Sequence, residues 1–358
     1  MRCLLIFPAI LIGAAGLFTA SAQVPASASV PGVTATRIPQ NPLITVASSA
    51  SLGDNVNGPS IIRVPAWVKQ PLGRYYMYFA HHKGLFVRMA YADAIQGPWK
   101  IYEPGVLPAR DTAFFRPQPD RPGLPEFFYT HIASPEVSVD ALPNRLVLWF
   151  HGWWTNGAPW PPDNSAATQA WARERGYGQF TQVADSSDGL HFEVHGAITK
   201  ESYLRVFREG RYFYGLARLG LLSRSTDPLA PFELGPNPFR DTRYANRVRH
   251  VALLRRGNTL FVFFTAIGDA PEHVLVSTID LAGDWQTWKA SAPVDLLQPE
   301  TAYECPDLPN VPSVAGEIEG RARQIRDPAV FEENGKAWLF YTICGEQGIA
   351  AAELTITM

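Results

Sequence analysis

The sequence predicts an all-β fold, a five-bladed β-propeller, on three observations. The first is the C-terminal stretch RDPAVFEENGKAWLFYTICGEQGIAAAEL, which reads as three short strands separated by two turns. Asn334–Gly335 between two apolar runs is a strong hairpin signal, because both residues tolerate a positive φ. The second is that this unit recurs, since three strands cannot bury two faces alone. Copies begin at NGPSIIRVP, SPEVSVD, SYLRVFREG and RHVALLRRG, and each runs strand, tight turn, aromatic strand, variable loop, small-residue strand. The third is a closing turn that ends each of these copies on an aromatic residue, Trp99, Phe192, Phe232 or Trp285. About five such units match a ring of four-stranded antiparallel blades.

In chain order, residues 1–22 read as a secretory signal. Arg2 supplies the positive start, LLIFPAILIGAAGLF the apolar run and Ala20-Ser21-Ala22 a cleavage site. This implies a secreted or periplasmic protein with no membrane segment after cleavage. Residues 23–41, rich in Ala, Ser, Pro and Thr, read as a flexible leader. The propeller domain is expected over residues 42–358. The last blade stops after its third strand, so a strand from the segment around residues 42–52 is expected to fill the fourth place and remove an exposed edge. Two insertions break the pattern, at residues 105–130 and at residues 152–178, the second with a short helical piece around Ala166 to Arg175. Cys3 leaves with the signal, and Cys305 and Cys344 remain either as a disulfide or as free thiols. A net charge of −2 without a basic run excludes a nucleic-acid partner.

Propeller connectivity sorts the loops. The turns after each first strand, at Asn144–Arg145, Glu209–Gly210, Gly257–Asn258 and Asn334–Gly335, are short and polar, as on a plain scaffold face. The opposite face collects Asn57, His81, His82, Glu136, His151, Trp153, Trp154, Glu201, His250, Asp269, Asp327 and Glu346. Binding residues concentrate on loops held by a rigid scaffold, so this face is the candidate site.

The blade openings, with a polar residue, Pro, an apolar strand, a Gly turn and an aromatic pair, resemble those of the five-bladed glycosidases of glycoside hydrolase family 43 and its relatives. In that family the openings Asp-Pro, Asp-Pro and Glu-Gly-Pro carry a base, a pKa-tuning aspartate and an acid. ESYLRVFREGRYFYGLA is the best local match: Glu201 precedes Gly210 by the interval used for the acid, although Ser202-Tyr203 stand in place of Gly-Pro. RDPAV supplies a true Asp-Pro at Asp327, but in the last blade. Gly58 stands where the base aspartate would sit, and Ser134 at the tuning position with Glu136 two residues on. The resemblance covers nearly all of the mature chain and implies a divergent member.

The function expected is an exported glycoside hydrolase using carboxylate acid–base chemistry on a polysaccharide or oligosaccharide. Glu201 is the expected acid and Asp327 or Glu136 the base. Each has a bland alternative: a cap for Asp327, a solvated turn for Glu201, and a partner for a local arginine for Glu136. Asn57, His81, His82, His151, Trp153, Trp154, Arg205, His250, Asp269 and Glu346 are the expected substrate contacts. Trp153, Trp154, Trp160 and Trp171 offer stacking surfaces for sugar rings or fill their own loop's core. Arg205, Arg247, Arg249 and Arg326 either clamp a sugar carboxylate or pair with acidic site residues. The histidines are read as sugar or water contacts; no cofactor is required, and a structural metal at the axis is the other reading. A non-catalytic carbohydrate-binding propeller and a phosphorylase are the competing functions.

Overall fold

The computed structural model describes residues 32–116, 130–155, 171–172 and 174–357. The expected signal peptide, Trp160, and residues 117–129 and 156–170 of the two insertions therefore lie outside the described residues. Blade one is β3 (Asn57–Arg63), β4 (Tyr75–Ala80), β5 (Phe86–Ala92) and β6 (Lys100–Pro108). Blade two is β7 (Ile132–Leu142), β8 (Arg145–Trp154), β9 (Gly178–Ser186) and β10 (Glu193–Thr199). Blade three is β11 (Arg205–Glu209), β12 (Tyr212–Leu216), β13 (Leu222–Ser225) and β14 (Glu233–Leu234). Blade four is β15 (Val248–Arg256), β16 (Thr259–Ala266), β17 (Val274–Asp280) and β18 (Val294–Leu297). Blade five is β19 (Arg326–Glu333), β20 (Lys336–Ile343) and β21 (Gly348–Thr357), joined by the N-terminal β1 (Gly32–Arg37) and β2 (Ile44–Thr45). Every blade is antiparallel, and the innermost strands β3, β7, β11, β15 and β19 touch in a closed ring.

The second strands explain why the chain carries continuous apolar runs rather than alternating ones. Successive side chains of a strand point to opposite faces, and here both faces are buried between blades. Tyr75, Met77 and Phe79 pack towards Phe331, Trp338 and Phe340 of blade five, while Tyr76 and Tyr78 pack towards Leu146, Leu148 and Phe150 of blade two. Likewise Leu260, Val262 and Phe264 join Tyr214 and Leu216, while Phe261 and Phe263 join Leu339 and Tyr341. Five such clusters fill the five gaps of the ring. The closing aromatics Trp99, Phe192 and Phe232 sit directly ahead of the outermost strands β6, β10 and β14, and Trp285 lies in the β17–β18 connection.

An N-terminal strand does complete the last blade, but most of it lies earlier than expected. Gly32–Arg37, within the stretch read as leader, pairs antiparallel with β21 from Gly32↔Thr357 to Arg37↔Ala352. From the expected segment only Ile44 and Thr45 pair with β21. The composition of GVTATR concealed an alternation of exposed and half-buried positions. A bidentate ion pair fastens this strand: Arg37 donates from Nε to Glu304 Oε1 at 2.8 Å and from Nη2 to Oε2 at 2.9 Å. Glu304 is buried and also accepts from Tyr341 Oη at 2.9 Å. Nearby, Cys305 and Cys344 form a disulfide with Cα atoms 5.1 Å apart, tying the β18–β19 connection to the β20–β21 loop.

Arg37→Met leaves the Glu304 carboxylate buried without its guanidinium. We expect it to lower stability by about 2 kcal/mol, less than for a fully buried pair, because Arg37 is only part-buried and Glu304 keeps its other hydrogen bonds. Calorimetry should show a lowered melting temperature; an unchanged one would show that β1 does not contribute to closing the ring.

Candidate functional site

Four of the five inner strands open on one device. β3, β7, β15 and β19 each carry a register shift at their start, between Asn57/Ser60, Ala133/Glu136, Val248/Val251 and Arg326/Ala329. Such a bulge re-aims a side chain towards the axis. Gly58, Ser134 and Asp327 occupy these bulges with positive φ, and Tyr203 does the same just before β11. Asp327, at φ 49, is thus not in the extended conformation expected before proline. At Gly58 an added Cβ would come within 3.0 Å of the Ser134 backbone, so no aspartate fits there without movement.

Three spaces follow one another around the axis. The widest is a cleft of about 470 Å³, with Trp153 and Gln179 from blade two, Lys200 to Tyr203, Arg218 from the β12–β13 loop, and Ala315–Gly316 from the β18–β19 connection. Glu201 enters this cleft from the connection before β11. Its backbone is held by Thr181 Oγ1, which donates to the Glu201 carbonyl at 2.7 Å, and the Arg218 N–H donates to the Ser202 carbonyl at 3.0 Å. The Glu201 side chain is buried, its Oε2 has no hydrogen-bond partner, and burial pushes its pKa up to about 7.

Beneath the cleft lies a smaller polar space walled by Asn57, His82, Ser134, Tyr203, His250, Asp327 and Glu346. Tyr203 belongs to both walls. Its ring sits between His151 and His250, with centroids 4.1 and 4.2 Å away. Asp327 is 1% exposed. Its Oδ1 pairs with His250 Nδ1, and its Oδ2 accepts from Gly58 N at 3.4 Å and Thr342 Oγ1 at 3.3 Å. Burial opposes ionisation of Asp327, but His250 and Arg326 outweigh it and hold the carboxyl below its usual value. Glu346 accepts from Asn55 at 2.5 Å and Asn57 at 3.3 Å and contacts His82 Nδ1 at 3.1 Å, while Arg326 donates to its other oxygen at 3.1 Å. Burial is again overcome, by His82, Arg326 and Asn55, and Glu346 is held well below the carboxylate range. Further along the axis, Glu136 accepts from Arg205 at 2.6 Å and from Ser60 at 3.2 Å.

The structure thus brings Asn57, His82, His250, Asp327 and Glu346 together, and His151 stacks on the Tyr203 that caps them. Glu201 and Trp153 face the separate cleft above, and Glu136 and Arg205 pair with each other below. His81 pairs with the exposed Asp54 at 2.9 Å, outside both walls. Trp154 packs on Phe180, and Trp171 on Tyr177 and Arg175. Asp269 pairs with Arg247 at 2.5 Å, and Arg249 with Glu272 at 2.8 Å. All four expected arginine clamps therefore hold carboxylates of this chain. Among the described residues, no group of three or more His, Cys, Asp or Glu side chains is placed to hold a metal ion. Sequence reasoning missed Glu272, Tyr203 and Arg218. The position of Glu272, in the same second-to-third loop that supplies His82 and Glu346, was a usable signal; nothing in the sequence marked Arg218.

His151 and His250 are buried where a charge is disfavoured, and burial lowers both pKa values, that of His151 strongly. The unfolded chain takes up these protons near pH 6.5, whereas the folded chain resists them. The histidine contribution to stability should therefore be full above pH 6.5 and fall on acidification, by up to about 1.4 kcal/mol per pH unit for each, while Glu201, whose pKa is raised, adds the opposite slope over the same range. Denaturant titrations from pH 7 to 5 should show that His151→Phe loses less stability on acidification than the wild type does. An unchanged slope in that variant would show that His151 protonates freely in the fold.

No family model matches the chain. One relative, "Uncharacterized protein R118" from Acanthamoeba polyphaga mimivirus, is 31% identical over 342 residues, covering 89% of each chain. Among solved structures, the chain resembles a glycosyl hydrolase from Bacteroides ovatus at a TM-score of 0.56 and 10% identity, covering 91% of this chain and 94% of that one. It resembles the alpha-L-arabinofuranosidase from Lactobacillus brevis at 0.54 and 12%, covering 88% and 92%. It also resembles the GH43_1 enzyme from Xanthomonas citri complexed with xylose, at 0.54 and 11%, covering 90% and 91%. At these identities the likeness is one of fold.

Proposed function

From the premise that this chain belongs to one family with the uncharacterized mimivirus protein and folds as known five-bladed glycosidases do, we propose that it is an exported glycoside hydrolase. Glu201 is its general acid. The observation that carries this reading is the buried Glu201 carboxyl, without a partner on Oε2, facing a cleft that also holds the Trp153 indole. A carboxyl with a pKa of about 7 keeps its proton at near-neutral pH and can deliver it to a leaving oxygen. Trp153 offers an apolar face of the kind that suits the C–H side of a sugar ring. The base in this reading is Asp327, which is kept ionised and is separated from the cleft by Tyr203.

A second reading, a carbohydrate-binding propeller without turnover, is favoured by a specific observation. Among the described residues Glu201 is the one carboxyl lining the cleft, while Asp327, Glu346 and Glu136 are each held in ion pairs away from it. Sugar release from mixed oligosaccharides, measured beside direct binding, separates the two.

Glu201→Gln should preserve the fold and lower turnover by about a hundredfold or more, the usual scale for losing acid help. Wild-type activity should fall as pH rises through about 7, because the acid then loses its proton. Activity that survives in Glu201→Gln, or an alkaline limb unchanged by it, would remove Glu201 from the mechanism. Saturable binding with no release by the wild-type protein at any pH would establish the second reading.

A further inference from the structure

The cleft holds charge that no described residue neutralises. Arginines elsewhere on this face are committed: Arg205 to Glu136, Arg247 to Asp269, Arg249 to Glu272, and Arg326 to Glu272 and Glu346. Arg218 differs. It lines the cleft, is half-buried, and its guanidinium makes no ion pair or hydrogen bond with any described residue. Lys200, on the same wall, has no salt bridge with any described residue either. Both reach the space next to Glu201, the one carboxyl there among the described residues, and burial raises that carboxyl to about 7. A cleft with two cations and an acid that keeps its proton near neutrality carries net positive charge. That is the complement of an anionic ligand.

The backbone fixes Arg218 where it is. Its N–H donates to Ser202 at 3.0 Å, Ala217 and Leu221 close a tight turn at 2.8 Å, and Leu219 takes φ 65 within it. A cation held on a turn that short is presented at low conformational cost, as pre-organised recognition requires.

Resting on the glycosidase reading above, we infer that the preferred substrate is an acidic saccharide, whose anionic substituent, a carboxylate or a sulfate ester, sits between Arg218 and Lys200 while the sugar ring lies on Trp153. Arg218 offers the planar fork that matches either anion bidentately, and Lys200 a compact second charge. The bound anion also makes ionisation of Glu201 harder, so the charge that selects the substrate keeps the acid protonated.

The test uses the whole protein and titration calorimetry at pH 6.5 in low salt. The probes are glucuronate-, galacturonate-, mannuronate- and guluronate-terminated disaccharides, each beside its carboxyl-reduced counterpart, and O-sulfated disaccharides beside their desulfated forms. At least one charged member should bind tenfold or more tightly than its neutral counterpart, and the preference should shrink with added salt. Which class shows it distinguishes a carboxylate from a sulfate. Arg218→Met should lower affinity for that member by tenfold or more. Lys200→Met, at an exposed position, should lower it severalfold and serves as the variant if Arg218→Met does not fold. Equal binding of charged and neutral partners, with sugar binding or release otherwise intact, overturns this inference and leaves the glycosidase reading standing. Failure of every saccharide, charged or neutral, to bind or be cleaved overturns both.

Discussion

Arg326 has no exposed surface, and its guanidinium joins two carboxylates that belong to different blades. It lies 3.2 Å from Glu272, in the β16–β17 loop of blade four, and 3.1 Å from Glu346, in the β20–β21 loop of blade five. Gln324 accepts from the same group at 2.5 and 2.9 Å. Burying a charge costs several kcal/mol, which only complete pairing offsets, so each member depends on the rest. The network also spreads outward. Arg249 shares Glu272 and donates to the carbonyls of Val314 and Gly316, and Arg326 donates to Gly316 at 3.4 Å. The connection that walls one side of the upper cleft is thus placed by the charges that hold the axis together.

Around the same axis, four blade openings are built alike. Gly58, Ser134, Tyr203 and Asp327 share a positive-φ backbone conformation, which aims four blade openings at the axis. Their side chains differ in consequence. Gly58 offers only its N–H, which goes to Asp327. Tyr203 fills the centre with a ring held between two histidines. The aspartate is present in blade five alone and answers to His250 of blade four.

Much of this fold was legible because both faces of each second strand are buried, so YYMYFA, LVLWF and LFVFF stand out as apolar runs between polar turns. Asn334–Gly335 forms the expected turn, with φ 52 and 76. The closing strand was harder to place because GVTATR pairs at an edge, where half its residues remain exposed and its composition resembles a leader. Site residues were legible as members of one face. Their division into cleft, axial pocket and lower axis was not, because it depends on bulges one residue long and on the reach of the β18–β19 connection. The arginines were visible as candidates for a clamp, but sequence does not show which cations meet carboxylates from distant blades.

Two kinds of carboxyl result, and the difference arises from partners rather than from depth. Glu346 and Asp327 are as deeply buried as any group in the protein, yet arginine, histidine and amide donors hold them ionised. Glu201 is nearly as inaccessible, at 5% exposure, and has none of these on its Oε2, so burial outweighs the opposing pull of Lys200 and the proton stays on. Environments that push the pKa values of neighbouring carboxyls apart are what separate an acid from a base in one site. Here Tyr203 stands between the two kinds, touching the cleft on one side and the His250–Asp327 pair on the other. The tyrosine therefore marks the boundary between the protonated and the ionised carboxyls.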